Sequence, residues 1–303
     1  MTTCTSQKTP PIFETGNTLE LLRLYAQHAL LTEGIGGLFP SSLDLSGVAG
    51  MLDLGSTIGG WALEAARSLE RPCLGLESRG DLLTYAQSRA TLSGMSDLVT
   101  FEERDLLHPL PFADASFDLV NLGCLVERVP TEQWPAVLRE CFRVVRHKGF
   151  VVWTEAEWPV MASSAAELLA RYVTDGWWKA GYGFSRDGRT LGVLHALPTL
   201  LREIGGCDVQ CESHLLDFSA WQSHHGMAAQ YVWTSFVTMQ PFLSEMGYGS
   251  QETLYAHCDH LAQEMDDAAF QGAMSMVRVW GQKGVSTPYE RPHLPLRLPQ
   301  LGR

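Results

Sequence analysis

The sequence predicts an α/β fold, a mostly parallel sheet with helices on both faces, and two observations carry that prediction. Short apolar runs alternate with helical patterns through the first half of the 303-residue chain, and the earliest run ends in a glycine turn that opens a helix. That stretch is Val48-Ala-Gly-Met-Leu-Asp-Leu-Gly-Ser-Thr-Ile-Gly-Gly-Trp61. Met51, Leu52 and Leu54 read as a strand buried on both faces, Gly55 to Gly60 as a tight turn, and Trp61 to Arg67 as a helix. Glycines let the backbone approach a bound molecule, and the free N–H groups of a helix start point at its polar groups.

The glycine spacing decides what that molecule is. A dinucleotide turn needs G-x-G-x-x-G, whereas these glycines fall at Gly55, Gly59 and Gly60, with Ser56, Thr57 and Ile58 between. The next apolar run, Pro72-Cys-Leu-Gly-Leu-Glu77, ends in a carboxylate 22 residues after Gly55. That is close to the roughly 20-residue offset of a group that binds ribose hydroxyls at the end of a second strand, so Glu77 is the ribose candidate. A third run, Leu98 to Asp105, leads through Leu106 to Leu110-Pro-Phe-Ala-Asp-Ala-Ser-Phe-Asp-Leu-Val-Asn121.

These three passages, in this order, resemble the motifs of the class I S-adenosylmethionine (SAM)-dependent methyltransferases, of the small-molecule, quinone and natural-product type. Asp53, Gly55 and Gly59 match the first motif, D/E-x-G-x-G-x-G, with Thr57 in place of the middle glycine. A β-branched residue tolerates positive φ poorly, so the turn is expected to be shaped differently and to hold the cofactor's carboxypropyl end less closely. The resemblance implies a Rossmann-like, seven-stranded, mostly parallel sheet and SAM as cofactor. It further implies contacts from Asp53, Gly55, Ser56, Thr57, Gly59, Glu77 and Ser78, from Asp105 to the adenine amine, and from Leu106, Asn121 and Leu122. Arg139 to Glu155 resembles the family's passage into the fifth strand, with His147-Lys148 where Pro-Gly is preferred, and the likeness covers residues 17 to 160.

In chain order, residues 1–46 form an N-terminal segment and lid helix. Met1 to Gly16 is polar and holds Pro10-Pro11, so it is unstructured or only locally ordered. A helix starts near Asn17 with Glu20 as its capping pair and Leu21, Leu24, Tyr25, His28 and Leu31 on one face. A helix so placed lies over the cofactor in small-molecule methyltransferases, which makes Tyr25, Gln27 and His28 contact candidates. The core occupies 47–160, with a fourth strand from Phe117 to Asn121 and a helix capped by Thr131 with Pro135 in its first turns. Many relatives carry a histidine around Glu127, so no loop histidine is transferred as a base.

Residues 161–207 read as cap and core helices, Ala162 to Ala180 and Thr190 to Ile204, the second kinked or divided by Pro198. Residues 208–283 hold the last two strands, Asp208 to Phe218 and Met274 to Gly281, around a helical insertion over 220–267. The 284–303 tail is proline-rich and extended.

Composition narrows the partners. A net charge of -12 without a basic stripe argues against a nucleic acid, and no run is long enough to span a membrane. The seven cysteines show no C-x-x-C pair and read as reduced, mostly buried thiols of a cytoplasmic protein. His257-Cys-Asp-His260 lacks a third and fourth ligand, so no metal is expected. A homo-oligomer would form through the N-terminal helix or the tail.

Ligands of open α/β sheets sit beyond the strands' carboxyl ends, which nominates Glu155 and Glu157 as catalytic carboxylates, against ion pairs with a cap arginine or plain solvation. His224 and His225, among Trp221, Tyr231 and Trp233, are further catalytic candidates, although helical neighbours point about 100° apart and cannot both face inward. Nine tryptophans suit an apolar or aromatic acceptor. The expected activity is therefore methyl transfer to a small hydrophobic or aromatic metabolite, with secondary metabolism as the expected setting. The alternatives are a SAM-binding protein that catalyses a cyclisation or other non-transfer reaction, and a non-catalytic SAM-binding protein.

Overall fold

A computed structural model describes residues 11–284. The N-terminal residues 1–10, with Cys4, and the tail from 285 lie outside the described residues. The chain runs α1 (Thr18–Gly34), β1 (Met51–Leu54), α2 (Gly60–Leu69), β2 (Cys73–Glu77), α3 (Gly80–Leu92), β3 (Val99–Glu103), β4 (Phe117–Gly123), α4 (Trp134–Val144) and β5 (Val145–Ala156). It continues with β6 (Val160–Met161), α5 (Ser164–Lys179), α6 (Val193–Glu203), β7 (Gly206–Asp217), α7 (His225–Glu245), α8 (Gln251–Met265) and β8 (Gly272–Lys283).

The strands make one sheet in the order β3-β2-β1-β4-β5-β8-β6, with β7 on the other side of β8. Strands β1 to β5 are parallel, and β8 runs antiparallel to both β5 and β7. The α/β architecture read from the sequence is the one observed, and the strand beyond the expected seven is the two-residue β6. The strand order reverses at β1, whose neighbours are β2 and β4, and the carboxyl ends there border a crevice suited to a ligand. Strand β1 is buried on both faces, as a central parallel strand must be.

Helix α1 differs from its sequence reading in the face it buries. Asn17 caps it as expected, its Oδ1 accepting the Glu20 N–H at 2.9 Å. The buried side, however, carries Glu20, Arg23 and Gln27 with Leu24, Ala26 and Leu30, while Tyr25 is exposed. Arg23 makes that burial possible: its guanidinium bonds Glu20 at 2.7 and 3.2 Å and Glu127 at 3.1 Å, and lies 3.7 Å from the centre of the Phe13 ring. Paired and stacked, the charges take the place of an apolar stripe. Part of the N-terminal segment is packed too, since Ile12 and Phe13 are buried and the Glu14 N–H donates to the Thr238 carbonyl at 2.7 Å.

Among the other elements, Pro198 sits inside an undivided α6, which begins only at Val193. The insertion between β7 and β8 is two helices, α7 and α8, and α1 packs on α7. Cys207 and Cys211 are exposed rather than buried because β7 pairs only with β8 and lies at the sheet edge. Among the described residues no helix is long and apolar enough to cross a membrane.

Candidate active site

The tips of β1 and β4 meet under α1 at a cleft, which Asp53, Gly55, Ser56, Thr57, Asn121 and Gln27 help to line. Asp53 is buried, and Asn121 Nδ2 donates to its Oδ1 at 2.8 Å. Burial pushes the Asp53 carboxyl up to about 6 against the opposing effect of Asn121 and Ser56. A cation in the cleft would restore its ionised form.

Thr57 takes the left-handed conformation, with φ 50°. The turn is therefore shaped as a glycine there would shape it, and the expectation of a different loop does not hold. The cause is a tether: the Thr57 N–H donates to Glu77 Oε2 at 2.9 Å and fixes the peptide across the β1–β2 gap. Gly59, at φ 74°, caps the start of α2, and a side chain on it would strike the Phe101 ring. Of the other cofactor candidates, Leu106 is buried close over Gly55, and Leu122 is fully buried in the core.

Glu77 lies at the tip of β2, fully buried, and its carboxylate is taken by the chain itself. Arg128, from the loop after β4, donates to Oε2 at 2.9 Å and also to Oε1, while the Arg79 N–H reaches Oε1 at 2.9 Å. Burial alone would raise the Glu77 carboxyl, but the Arg128 charge and these hydrogen bonds outweigh it and hold it below its usual value. Ser78 joins the same cluster by donating to Glu77 and accepting from Arg128 at 3.0 Å. Around it runs a groove lined by Ser78, Arg79 and Arg128 and sharing Thr57 and Leu24 with the cleft. Asp105 stands apart from both, exposed, its carboxylate accepting the Leu107 N–H and pairing with His108, each at 2.9 Å.

On the far side, the cleft shares Gln27 and Cys124 with a second, tightly packed recess, the chamber. Phe13, Trp158, Trp177 and Tyr231 make its walls aromatic, and Glu155 and Glu157 also border it. Neither carboxylate pairs with an arginine or is solvated as the sequence suggested. Glu155 is fully buried, and its Oε1 accepts from the Leu125 N–H at 2.8 Å, the Val126 N–H at 3.2 Å and Trp153 Nε1 at 2.9 Å. Burial pushes it up to about 8 in spite of these donors. Glu157 instead accepts the N–H groups of Leu191, Gly192 and Val193 at 2.5, 2.9 and 3.3 Å, closing the start of α6. Cys124 has its thiol pushed well up by burial and by Glu155 and Glu127, so it stays neutral.

Three candidates stand outside these cavities. His224 pairs with Glu33 at 3.0 Å, and His225 Nδ1 bonds the Phe218 carbonyl at 2.9 Å against the Phe270 ring. Neither lines the cleft or the chamber, because both are spent fixing the start of α7. Tyr25 bonds the Tyr85 hydroxyl at 2.9 Å on the outer side of α1, whereas Gln27 and His28 face the cleft. Cys124 and Trp158 fall in the segments, Leu122 to Glu127 and Glu155 to Trp158, that strand-end reasoning places at the acceptor side, whereas Arg128, Tyr231 and Trp177 were given no site role by the sequence. Only the wealth of aromatics hinted at the last two.

Residues 51–149 match the model of a methyltransferase domain. Over that stretch the chain is thus similar to methyltransferase domains. Over 121 residues it is 30% identical to the demethylmenaquinone methyltransferase of Lactiplantibacillus plantarum, covering 39% of this chain and 50% of that one. Over 103 residues it is 33% identical to the ajmaline N-methyltransferase of Rauvolfia serpentina, covering 34% of each. The chain thus spans about half the length, or less, of these curated relatives. Among solved structures, the YcgJ protein of Bacillus subtilis superposes with a TM-score of 0.51 at 13% identity, over 87% of this chain and all of that one, a likeness of fold.

SAM is the cofactor of such a methyltransferase domain, and the residues present fit it with one displacement. The donor and acceptor set suits its parts: Asp53 for the ammonium, the turn at Gly55 to Thr57 for close backbone approach, and Glu77 for the ribose diol. A Cβ on Gly55 would lie 2.3 Å from Leu125 and 3.3 Å from Arg128, so those two side chains now occupy the space above the turn. A ribose bound at Glu77 would have to displace Arg128.

Proposed function

We propose that the protein transfers a methyl group from SAM to a small hydrophobic or aromatic acceptor. The observation that carries this is the junction at Gln27 and Cys124, where the cleft beside the glycine turn meets an aromatic chamber. A methyl donor held in the cleft and an acceptor held in the chamber would come together there, and positioning in a dry site is the main requirement of the reaction. SAM supplies a methyl group already activated by its sulfonium. Asp53 and Asn121 hold the amino-acid end, Glu77 and Ser78 the ribose, and Leu106 borders the adenine. Helix α1 excludes water from above through Leu24 and Leu31. A small-molecule acceptor accords with the ajmaline-methylating relative, and the names of both curated relatives favour transfer over cyclisation.

Calorimetry of the full chain with SAM and with S-adenosylhomocysteine tests the cofactor part, and release of S-adenosylhomocysteine with an acceptor tests the transfer. No heat with either compound would overturn the reading. The Arg128–Glu77 pair favours one second reading, a protein that binds SAM without turning it over, which predicts heat but no product on any acceptor.

A further inference from the structure

Away from the cleft and the chamber, the loop that follows α5 and one face of α6 border an open groove with room of about 530 Å³. Trp178, Tyr182 and Phe184 give it an aromatic wall, and Arg186 and His195 give it a cation and a ring N–H. None of its lining residues belongs to the cleft or the chamber, and it meets the groove around Arg128 only at Tyr182.

Backbone bonds hold the aromatic wall in place. The Thr131 N–H donates to the Gly181 carbonyl at 2.8 Å, the Tyr182 N–H to the Trp177 carbonyl at 2.8 Å, and the Phe184 N–H to the Leu191 carbonyl at 2.6 Å. The Phe184 ring backs onto the stacked pair Trp134 and Trp153, 6.1 and 6.2 Å from their rings. Further along, a Cβ on Gly188 would stand 3.2 Å from Asp175 and 3.4 Å from Trp178, so the loop also lies tight against α5. This fixed frame nevertheless leaves its aromatic side chains partly open to water, Trp178 being 42% exposed. Aromatic surface that is both rigid and exposed is a feature of ligand sites.

The polar groups beside it are available. Asp187, the acid next to Arg186, is taken by Arg189 at 3.2 Å and by Ser185 at 3.4 Å. Among the described residues, neither Arg186 nor His195 has a side-chain hydrogen bond or an ion pair. A Cβ on Gly192 would lie 2.8 Å from the Ser185 nitrogen and 3.1 Å from His195 Cε1, which brings the imidazole beside the peptide that leads into Arg186. No carboxylate lines the groove, in a chain whose net charge is -12.

We propose that this groove is a second ligand site, which binds a small planar aromatic carboxylate with its ring on Trp178, Tyr182 and Phe184 and its carboxylate on Arg186 and His195. A guanidinium presents paired N–H groups that match the two oxygens of a carboxylate, and an imidazole has a ring N–H to donate in either protonation state. A dianionic phosphate would leave one charge unmatched by a single arginine, and a cation would face Arg186 with no lining carboxylate to receive it. The room agrees, since small-molecule pockets hold roughly 300 to 1,000 Å³.

Three probes with one ring system test this on the full chain by calorimetry: 2-naphthoate, 2-naphthalenemethanol and 2-naphthylmethylamine. The carboxylate is expected to bind at least about fivefold more tightly than the alcohol, with the amine weakest. It should also shift the Trp178 indole N–H resonance in the ¹⁵N–¹H spectrum, assigned with Trp178→Phe. Arg186→Gln should weaken 2-naphthoate by about three- to tenfold and leave the alcohol unchanged, while Arg186→Lys, which keeps the charge without the paired N–H groups, should lie between. Arg186 is exposed, so unchanged melting curves are expected to show that these variants keep the fold. Saturating S-adenosylhomocysteine should not displace 2-naphthoate, because no cleft residue lines the groove. No binding at millimolar 2-naphthoate, equal affinity for the alcohol or the amine, an unmoved Trp178 resonance, or displacement by S-adenosylhomocysteine would overturn the proposal. The binding needs no SAM, so a failure here leaves the methyl-transfer reading standing, and a protein blind to SAM can still pass this test.

Discussion

Arg128 lays its guanidinium across both carboxylate oxygens of Glu77, the residue at the tip of the second strand. Ligand-free, the protein thus satisfies with its own arginine the group that the proposed function gives to the ribose, and on that proposal cofactor binding is an exchange of partners. Replacing Arg128 by Gln should lower ligand-free stability by about 2 to 4 kcal/mol, since a fully buried carboxylate loses its countercharge. The same variant should gain more stability from saturating S-adenosylhomocysteine than the parent does, because nothing has to be displaced. Melting curves with and without the ligand check this, and an equal gain in both proteins would show that Arg128 does not compete.

Thr57 pays in backbone strain for its left-handed conformation, a cost of order 1 to 3 kcal/mol for a residue of this kind. Thr57→Gly removes that strain while keeping the N–H that reaches Glu77, and the looser unfolded chain returns about 0.5 to 1 kcal/mol of it. The variant should be stabilised by about 1 kcal/mol, read as a higher urea midpoint at unchanged slope.

Stability should fall as pH rises toward 8. The Glu155 carboxyl, at about 8 in the folded protein, holds its proton after the unfolded chain has released it near the ordinary glutamate value of 4.5. Its contribution is therefore fully present below 4.5 and lost progressively up to about 8, with a slope of at most about 1.4 kcal/mol per pH unit. Asp53 adds the same sign from 3.8 up to about 6, and the raised carboxyls of Glu127 and Glu157 act in the same direction. Glu155→Gln imitates the protonated form, so its stability profile between pH 6 and 8 should be shallower and should lie above the parent's at pH 8. Denaturant titrations at several pH values decide it.

Arg23 ties α1 to the loop after β4 through Glu127, both side chains being nearly inaccessible. Arg23→Met should destabilise by about 3 to 5 kcal/mol, as removal of one member of a buried ionic cluster does. Combined with Glu127→Gln it should show a coupling of about 1 to 3 kcal/mol, whereas additive effects would mean that the contact joins nothing.

The strand tips were legible because each is announced locally: an apolar run stops at Asp53, at Glu77 or at Asn121, and the ends of adjacent parallel strands must come together. Arg128 was not legible, since no spacing rule links it to a partner 51 residues away. Helix α1 was misjudged because its period shows Leu21 and Tyr25, while pairing among Glu20, Arg23 and Glu127 lets the charged face go inward. Glu155 and Glu157 look alike in the sequence and differ only through their surroundings: α6 takes one, and the chamber keeps an oxygen of the other.

Arg278 on β8 gives the arrangement a temporal consequence. It lines the cleft, donates to Thr154 Oγ1 at 3.3 Å and to Glu212 at 3.2 Å, and also bonds the carbonyl of Gly37 just beyond α1. Its strand is the final regular element of the described residues, yet it fills the slot between β5 and β7. A nascent chain that has emerged only to α8 therefore exposes the open edge of β5 and has no Arg278 to anchor the segment after its first helix. Synthesis must run through β8 before the pocket can close, so until then that bare edge is a surface for chaperones to shield.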